Sequence, residues 1–265
     1  MKLSIQSAYR KYASCLAGKA LNLSILATLL VYTLPAQATF QFLPKPPDQG
    51  APTGRQRGGA NRGDCLAYQG LTAIVPEVEG IVWSQTASDS PTFFFNIPAA
   101  LTESVPLEFV IQDSNDDYVF RKQFAVDAEA GTLAIFTNGL TANQSYSWTF
   151  AVYCDANRPS ASVSVSGTVQ RVEAIALSLE QTAIEQLSDS EKLELIRRYA
   201  ADGIWHEAIA LAISLRESDP SNVEHAEPLE NLLTQAGLTN VSLLPLFIEH
   251  YEKARDLSST RTISP

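Results

Sequence analysis

The hydrophobic pattern of this chain changes its period once, and the change limits the folds open to it. From about Asp64 to Glu173, apolar and polar residues alternate at every second position between turn residues, which is typical of half-buried β-strands. After Ala174, apolar residues recur with the 3.6-residue period of α-helices. We therefore predict an α+β chain, with a β domain at residues 64–173 and a helical region at residues 174–256.

Seven segments carry the strand pattern. In the sixth, Trp148 shares its face with Tyr146, Phe150 and Val152, so we predict that Trp148 lies in the core. Seven short strands in about 110 residues are typical of an antiparallel β-sandwich of immunoglobulin or fibronectin type. The segments are Leu71–Pro76, Thr92–Pro98, Leu107–Asp113, Tyr118–Val126, Thr132–Thr137, Ser145–Cys154 and Ser162–Val172.

Start and stop signals predict about four helices in the C-terminal part. The segment Ser188–Glu191 has the form of a capping box and opens the first helix. The second carries its apolar residues from Ile204 to Leu215, the third runs from about Glu227 to Gly237, and the fourth carries Leu244, Phe247, Ile248 and Tyr251. We predict a disordered tail at residues 257–265.

Trp205, His206 and Glu207 lie beside the apolar stripe of the second helix. A tryptophan at such a margin either seals the contact between the helices and the sandwich or stays exposed as a binding anchor. The pattern favours sealing, and the hypothesis to test is that the surface around Trp205, together with His206 and Glu207, binds a protein partner.

The first 38 residues have the features of a secretory signal peptide. Four basic residues precede or border an uncharged run of 15 residues, Ala20–Leu34, and the small residues Ala36 and Ala38 precede the expected cleavage before Thr39. An uncleaved anchor is the alternative, although a spanning helix needs about 20 apolar residues. We expect export to the periplasm or the extracellular space, with no membrane span after the signal is removed.

Export changes both the charge and the cysteine chemistry of the chain. Without the signal, 15 basic and 29 acidic residues remain, a net charge of −14, so the surface repels nucleic acids and we expect no nucleic-acid partner. Cys65 and Cys154 also remain. Because thiols tend to pair in an oxidising compartment, we predict one disulfide between them.

Residues 39–63 are rich in Gly, Pro and Arg. This composition favours a flexible linker over two other interpretations, an Arg-Gly-Gly nucleic-acid tail and an Arg62-Gly63-Asp64 adhesion ligand.

No group of residues has the spacing of a known catalytic site. The three histidines, His206, His225 and His250, are too far apart for a helical metal site. Asp113–Asp117 begins like a calcium loop, but Tyr118 stands where that loop needs glycine and Phe124 where it needs glutamate. We predict a non-enzymatic protein without metal or cofactor, although a glycosidase-type carboxylate pair stays open.

Several segments together resemble a family of exported cyanobacterial proteins, domain of unknown function 928. They include Arg62–Cys65, Leu71–Pro76, Pro91–Pro98, Ala151–Val172 and Tyr199–Ile209. The resemblance covers roughly Arg55 to Leu246 and implies an envelope protein with a cysteine pair, a β domain and a helical end, but no activity.

A second similarity lies in the helical end, where the spacing of five residues is similar to one tetratricopeptide unit. These residues are Tyr199, Gly203, Trp205, Ala208 and Pro220. One unit is too short for a solenoid, so the similarity implies a single helical hairpin.

Taken together, these features lead us to expect an envelope protein that binds a protein partner. Binding of carbohydrate or cell-wall polysaccharide through the sandwich is the alternative.

If residues 1–38 are a cleaved signal, protein from the native host should begin at Thr39. Intact mass and N-terminal sequencing check this expectation. Recovery of the full-length chain only in the cytoplasm would contradict it.

Overall fold

The computed structural model describes residues 41–42, 54–58, 65–155, 158, 160–173, 184, 186–239, 241 and 246–248. Within these residues, two β-sheets pack together and three α-helices follow them. The predicted signal peptide, with Ala36, Ala38 and Thr39, and the predicted tail at residues 257–265 lie outside the described residues.

The described part of the chain contains ten strands. A short 3-10 helix, Leu66–Tyr68, precedes them. Their bounds are β1 (Thr72–Ala73), β2 (Glu77–Val78), β3 (Ile81–Thr86), β4 (Thr92–Ile97), β5 (Leu107–Gln112), β6 (Tyr118–Phe124), β7 (Gly131–Phe136), β8 (Gln144–Tyr153), β9 (Ser162–Arg171) and β10 (Leu246–Ile248).

Each sheet combines strands that lie far apart in sequence. The larger sheet has six strands in the order β2-β3-β9-β8-β5-β6. The smaller sheet consists of β1, β4 and β7, and the short β10 adds a fourth strand beside β7. All seven predicted strands are present, although only Thr72 and Ala73 of the first form a strand.

The prediction of a purely antiparallel sandwich was wrong at two places. Strand β3 pairs in parallel with β9, with Trp83 opposite Thr168, and β10 pairs in parallel with β7. Strand β3 was not predicted, because Val82, Trp83 and Ser84 are buried in succession and a strand covered on both faces shows no alternation of apolar and polar residues.

Strand β4 separates two hydrophobic cores. Phe93 and Phe95 pack with Trp148, Phe109 and other residues between the two sheets, so the prediction that Trp148 lies in the core is confirmed. Phe94, between them in sequence, belongs to a second core shared with the helices. The smaller sheet is therefore the middle layer of the molecule, with the larger sheet on one side and the helices on the other.

The helices are α1 (Asp189–Ala201), α2 (Trp205–Ser218) and α3 (Val223–Gln235). Ser188 and Glu191 form the predicted capping box, and Gly203 in the α1–α2 connection has a positive φ of 75°, which glycine adopts without a steric penalty.

The prediction of four helices was wrong. Three residues of the predicted fourth helix, Leu246–Ile248, form strand β10 beside β7. Pairing with a distant strand decides their conformation, and a short apolar run does not reveal this. Tyr251 lies outside the described residues. No helix among the described residues is long and apolar enough to cross a bilayer.

Two parts of the predicted flexible linker are packed against the folded chain. Arg55 pairs with Ser166 of β9 and Arg57 with Thr72 of β1, so this segment touches both sheets. Between them, Gln56 is buried and its Nε2 donates to the backbone oxygens of Val75 at 2.6 Å and Ala236 at 3.3 Å. These contacts exclude a free tether at residues 54–58, while Arg62-Gly63-Asp64 lies outside the described residues.

The earlier part of the linker reaches the helices. Phe42 is buried, and its backbone N–H donates to Oε1 of Gln235 at the end of α3 over 2.6 Å. Its ring packs edge-on against Trp205 at a centroid distance of 5.0 Å. Both linker segments therefore belong to the folded structure.

The predicted disulfide between Cys65 and Cys154 is confirmed, with a Cα–Cα distance of 5.4 Å. It joins the residue before the 3-10 helix to the residue after β8, across 89 positions of sequence.

Removing this disulfide should destabilise the fold by up to about 4 to 5 kcal/mol, because an unlinked unfolded chain gains the entropy of a long loop. Urea unfolding of the oxidised chain and of a Cys65→Ser/Cys154→Ser variant measures the difference. An unchanged free energy of unfolding would mean that the bond contributes no stability.

Candidate functional site

The first residue of α2 closes the contact between the helices and the smaller sheet. Trp205 is 0% exposed, and its Nε1–H donates to the backbone oxygen of Ile74 at 2.8 Å. Phe42 covers another side of the ring. Trp205 therefore seals this contact, and it has no exposed surface with which to anchor a partner.

His206 connects the two sheets. Its Nδ1–H donates to the backbone oxygen of Thr92 in β4 at 3.0 Å. Since Nδ1 carries the proton, Nε2 accepts a hydrogen bond of 2.9 Å from the Ser84 hydroxyl in β3. The side chain is 2% exposed, and burial lowers the pKa of His206 to about 4, against the opposing effect of the Thr92 hydrogen bond. The imidazole is therefore neutral at pH 7.

Glu207 fixes the loop that follows β3. Its Oε1 accepts hydrogen bonds from the Thr86 hydroxyl at 2.6 Å and from the backbone N–H groups of Ala87 at 3.1 Å and Ser88 at 3.0 Å. Burial raises the pKa of Glu207, and these hydrogen bonds oppose the increase. Burial and, to a smaller degree, the Glu207 charge also raise the pKa of Tyr199 to about 12.

The three residues predicted to bind a partner thus all contact the β-sandwich of their own chain. His206 and His225 are both buried, at 2% and 5% exposure. The sequence did contain a signal for this burial of His206. Helix α2 is apolar around nearly its whole circumference, which is typical of a buried helix.

The structure also brings together a serine and a histidine that lie 122 positions apart in sequence. The Ser84–His206 contact has the geometry of an activated nucleophile. Ser84, however, is 1% exposed, so a substrate cannot reach its hydroxyl in this conformation. The pair joins β3 to α2 and does not form an accessible catalytic site.

The remaining polar motifs form turns and local contacts. Oδ1 of Asp113 accepts hydrogen bonds from the backbone N–H groups of Asn115 at 2.8 Å and Asp117 at 3.1 Å, which makes the predicted calcium-like segment a tight turn. His225 lies 3.4 Å from Asp189 on α1. Among the described residues, no group of three or more His, Cys, Asp or Glu side chains has the arrangement of a metal site, and His250 lies outside them.

A surface cavity of about 640 Å³, which we call the α2 cleft, opens between the helices and the outer face of the smaller sheet. Its apolar walls come from both sides and include Phe94, Ala134, Phe136, Leu211 and Ile213. Phe136, at the end of β7, is 55% exposed. The cleft is therefore an apolar surface with an accessible aromatic ring.

Polar groups surround this apolar surface. One face of α2 lines the cleft, because the lining residues follow one another at intervals of three and four positions. These residues are Glu207, Ala210, Ser214 and Glu217. Burial raises the pKa of Glu217. Lys192 of α1 also lines the cleft. No sequence pattern indicated this site, because it combines residues from three separate parts of the chain.

The buried neutral state of His206 should make the protein less stable in acid. The pKa of His206 is about 4 in the folded chain against a usual value of 6.5, so the unfolded state binds a proton first as the pH falls. Stability is therefore lost between about pH 6.5 and pH 4, by about 3 kcal/mol for a shift of this size.

Urea unfolding of the wild type and of His206→Gln at about pH 7 and about pH 4 measures this loss. The variant should start less stable at neutral pH, because it lacks the imidazole contacts, and should lose less stability on acidification. Equal acid losses in the two proteins would show that His206 does not control the effect.

Comparisons with known proteins place this architecture in a family. No curated protein matches the sequence significantly. The family described as Domain of Unknown Function (DUF928) matches residues 57–246. This range includes the disulfide-bonded Cys65 and Cys154, the three helices and the lining of the α2 cleft. It also includes the described strands, except for the last two residues of β10. The chain belongs to the DUF928 family.

Proposed function

We propose that this protein is an exported, non-enzymatic envelope protein that binds a protein partner in the α2 cleft. The observation that carries the proposal is the exposed ring of Phe136 beside the apolar walls of the cleft. An exposed aromatic side chain in a concave apolar surface is a typical centre of a protein-binding site.

The arrangement of polar groups supports the same function. Lys192, Ser88, Ser214 and Glu217 lie around the apolar lining of the cleft. Binding sites on proteins commonly have an apolar centre inside a polar rim, which excludes water and orients the partner. The cleft has both parts.

The disulfide and the N-terminal sequence support export. Disulfides persist in oxidising compartments, and the Cys65–Cys154 bond lies in a chain that begins with the features of a signal peptide. We place the protein in the periplasm or outside the cell. The cyanobacterial origin that the family resemblance implies is part of the same proposal.

The strand arrangement supports an immunoglobulin-like sandwich. Strands β9, β8 and β5 are neighbours in one sheet, and β4 and β7 are neighbours in the other. The Tyr146 hydroxyl near the start of β8 accepts a hydrogen bond of 2.8 Å from the Thr141 backbone N–H, the contact called a tyrosine corner in such domains.

The α1–α2 pair, joined through Gly203, supports a hairpin like that of one tetratricopeptide unit.

The structural roles of Ser84, His206 and Glu207 support a non-enzymatic function. The Ser84 hydroxyl and the His206 ring are buried against one another, and Glu207 holds the loop after β3. These side chains stabilise the joint between the helices and the sandwich.

Phe136→Ser should weaken capture of the partner by about tenfold or more, because an aromatic residue at the centre of an interface can contribute more than about 1.4 kcal/mol. Crosslinking and pull-down from the native envelope measure the capture of one defined protein. Tyr118→Ser is the matched control, since Tyr118 is 56% exposed and does not line the cleft.

Equal capture by the wild type and both variants would contradict the proposal. Retention on purified cell-wall polysaccharide that Phe136→Ser abolishes would favour the carbohydrate-binding alternative, because an exposed aromatic ring also stacks on sugars.

A further inference from the structure

The charges along the α2 cleft restrict what it can bind. Its described lining contains two carboxylates, Glu207 and Glu217, and one ammonium group, Lys192, whereas His206 is buried and neutral. Glu217 takes part in no ion pair among the described residues. Glu217 therefore offers a cationic group an exposed carboxylate in the cleft, in a chain that has 29 acidic and 19 basic residues.

The two carboxylates differ in how a ligand can use them. Glu207 is already engaged, since its Oε1 accepts three hydrogen bonds from residues 86–88 and its Oε2 is inaccessible to solvent. Glu217 lies near the C-terminal end of α2, where its side chain is exposed. Glu217 is thus the carboxylate that an incoming group can reach.

The length of the cleft indicates the size of the ligand. Glu207 and Glu217 are ten positions apart on α2, which corresponds to about 15 Å along the helix axis. An extended peptide rises about 3.3 Å per residue, so about four or five residues cover this distance. Ala210 and Ser214, which lie between the two carboxylates on the same face, are small and let a peptide approach the helix closely.

We propose that the α2 cleft binds a short peptide segment of the partner that combines an apolar side chain, seated against Phe136, with a lysine or arginine paired to Glu217. This inference rests on the proposed function and specifies the chemistry of the partner. The apolar side chain contributes most of the affinity, because it leaves water. The basic side chain sets the orientation and the selectivity, since it pairs with the exposed carboxylate of Glu217.

Selection of short random peptides displayed on phage against the purified, oxidised chain tests the inference. Peptides that depend on the cleft are identified by their loss of binding to Phe136→Ser. These peptides should contain a lysine or arginine close to an apolar residue. Their binding to Glu217→Gln should weaken by about fivefold, which corresponds to about 1 kcal/mol for a partly exposed ion pair.

Glu230→Gln is the matched control, because Glu230 is an exposed carboxylate on α3 that does not line the cleft. Unchanged binding to this variant, together with weaker binding of the same peptides at high salt, supports the pairing with Glu217.

Two results would overturn the inference. If cleft-dependent peptides show no basic residue, or bind Glu217→Gln as tightly as the wild type, the cleft has no preference for a cationic segment, and the proposed function still stands on its own pull-down result. If no selected peptide depends on Phe136, the cleft is not a peptide site, and capture of the native partner then decides the proposed function separately.

Discussion

The insertion of the first turn of α2 between β3 and β4 is the contact on which the rest of the arrangement depends. His206 bonds to Ser84 in one sheet and to Thr92 in the other, and Glu207 holds the loop that joins these two strands. These hydrogen bonds matter because a buried polar group without a partner costs about 1 to 3 kcal/mol. Because hydrogen bonds are directional, these contacts fix the position of α2 relative to the sandwich. They thereby also fix the distance between the walls of the cleft.

The middle position of the smaller sheet follows from the same joint. On β4, Phe93 and Phe95 contribute to the core between the sheets, and Phe94 contributes to the core beneath the helices. The apolar face of a helix must be buried against another apolar surface. For these helices, that surface is supplied by Ile74, Phe94 and Ala134. The described helices cover only part of that outer face, and Phe136 at the end of β7 is 55% exposed. The cleft is the uncovered remainder of the surface that holds the helices in place.

Local features of the sequence were sufficient to predict most strands and helices. The alternation in β8 and β9, the capping box at Ser188 and Glu191 and the left-handed Gly237 after α3 depend on nearby residues alone. Features that depend on distant partners could not be predicted, among them the parallel pairing of β3 with β9, the strand at Leu246–Ile248 and the hydrogen bonds of His206 to Ser84 and Thr92. The cleft belongs to this second group, because its lining combines residues of β4, β7 and the helices, which are far apart in sequence.

The contacts made by the N-terminal lead-in have a consequence for the order of folding. Gln56 is hydrogen-bonded to Ala236, 180 positions later, and Phe42 to Gln235, 193 positions later. Because a chain is synthesised from its N-terminus, the first segments to emerge are among the last that can reach their final places. Loops of this length close slowly, so the polypeptide remains incompletely assembled until its C-terminal helices are made. The fold is thus completed by contacts between its earliest described segments and one of its latest, so its last step of assembly joins the lead-in to the end of α3.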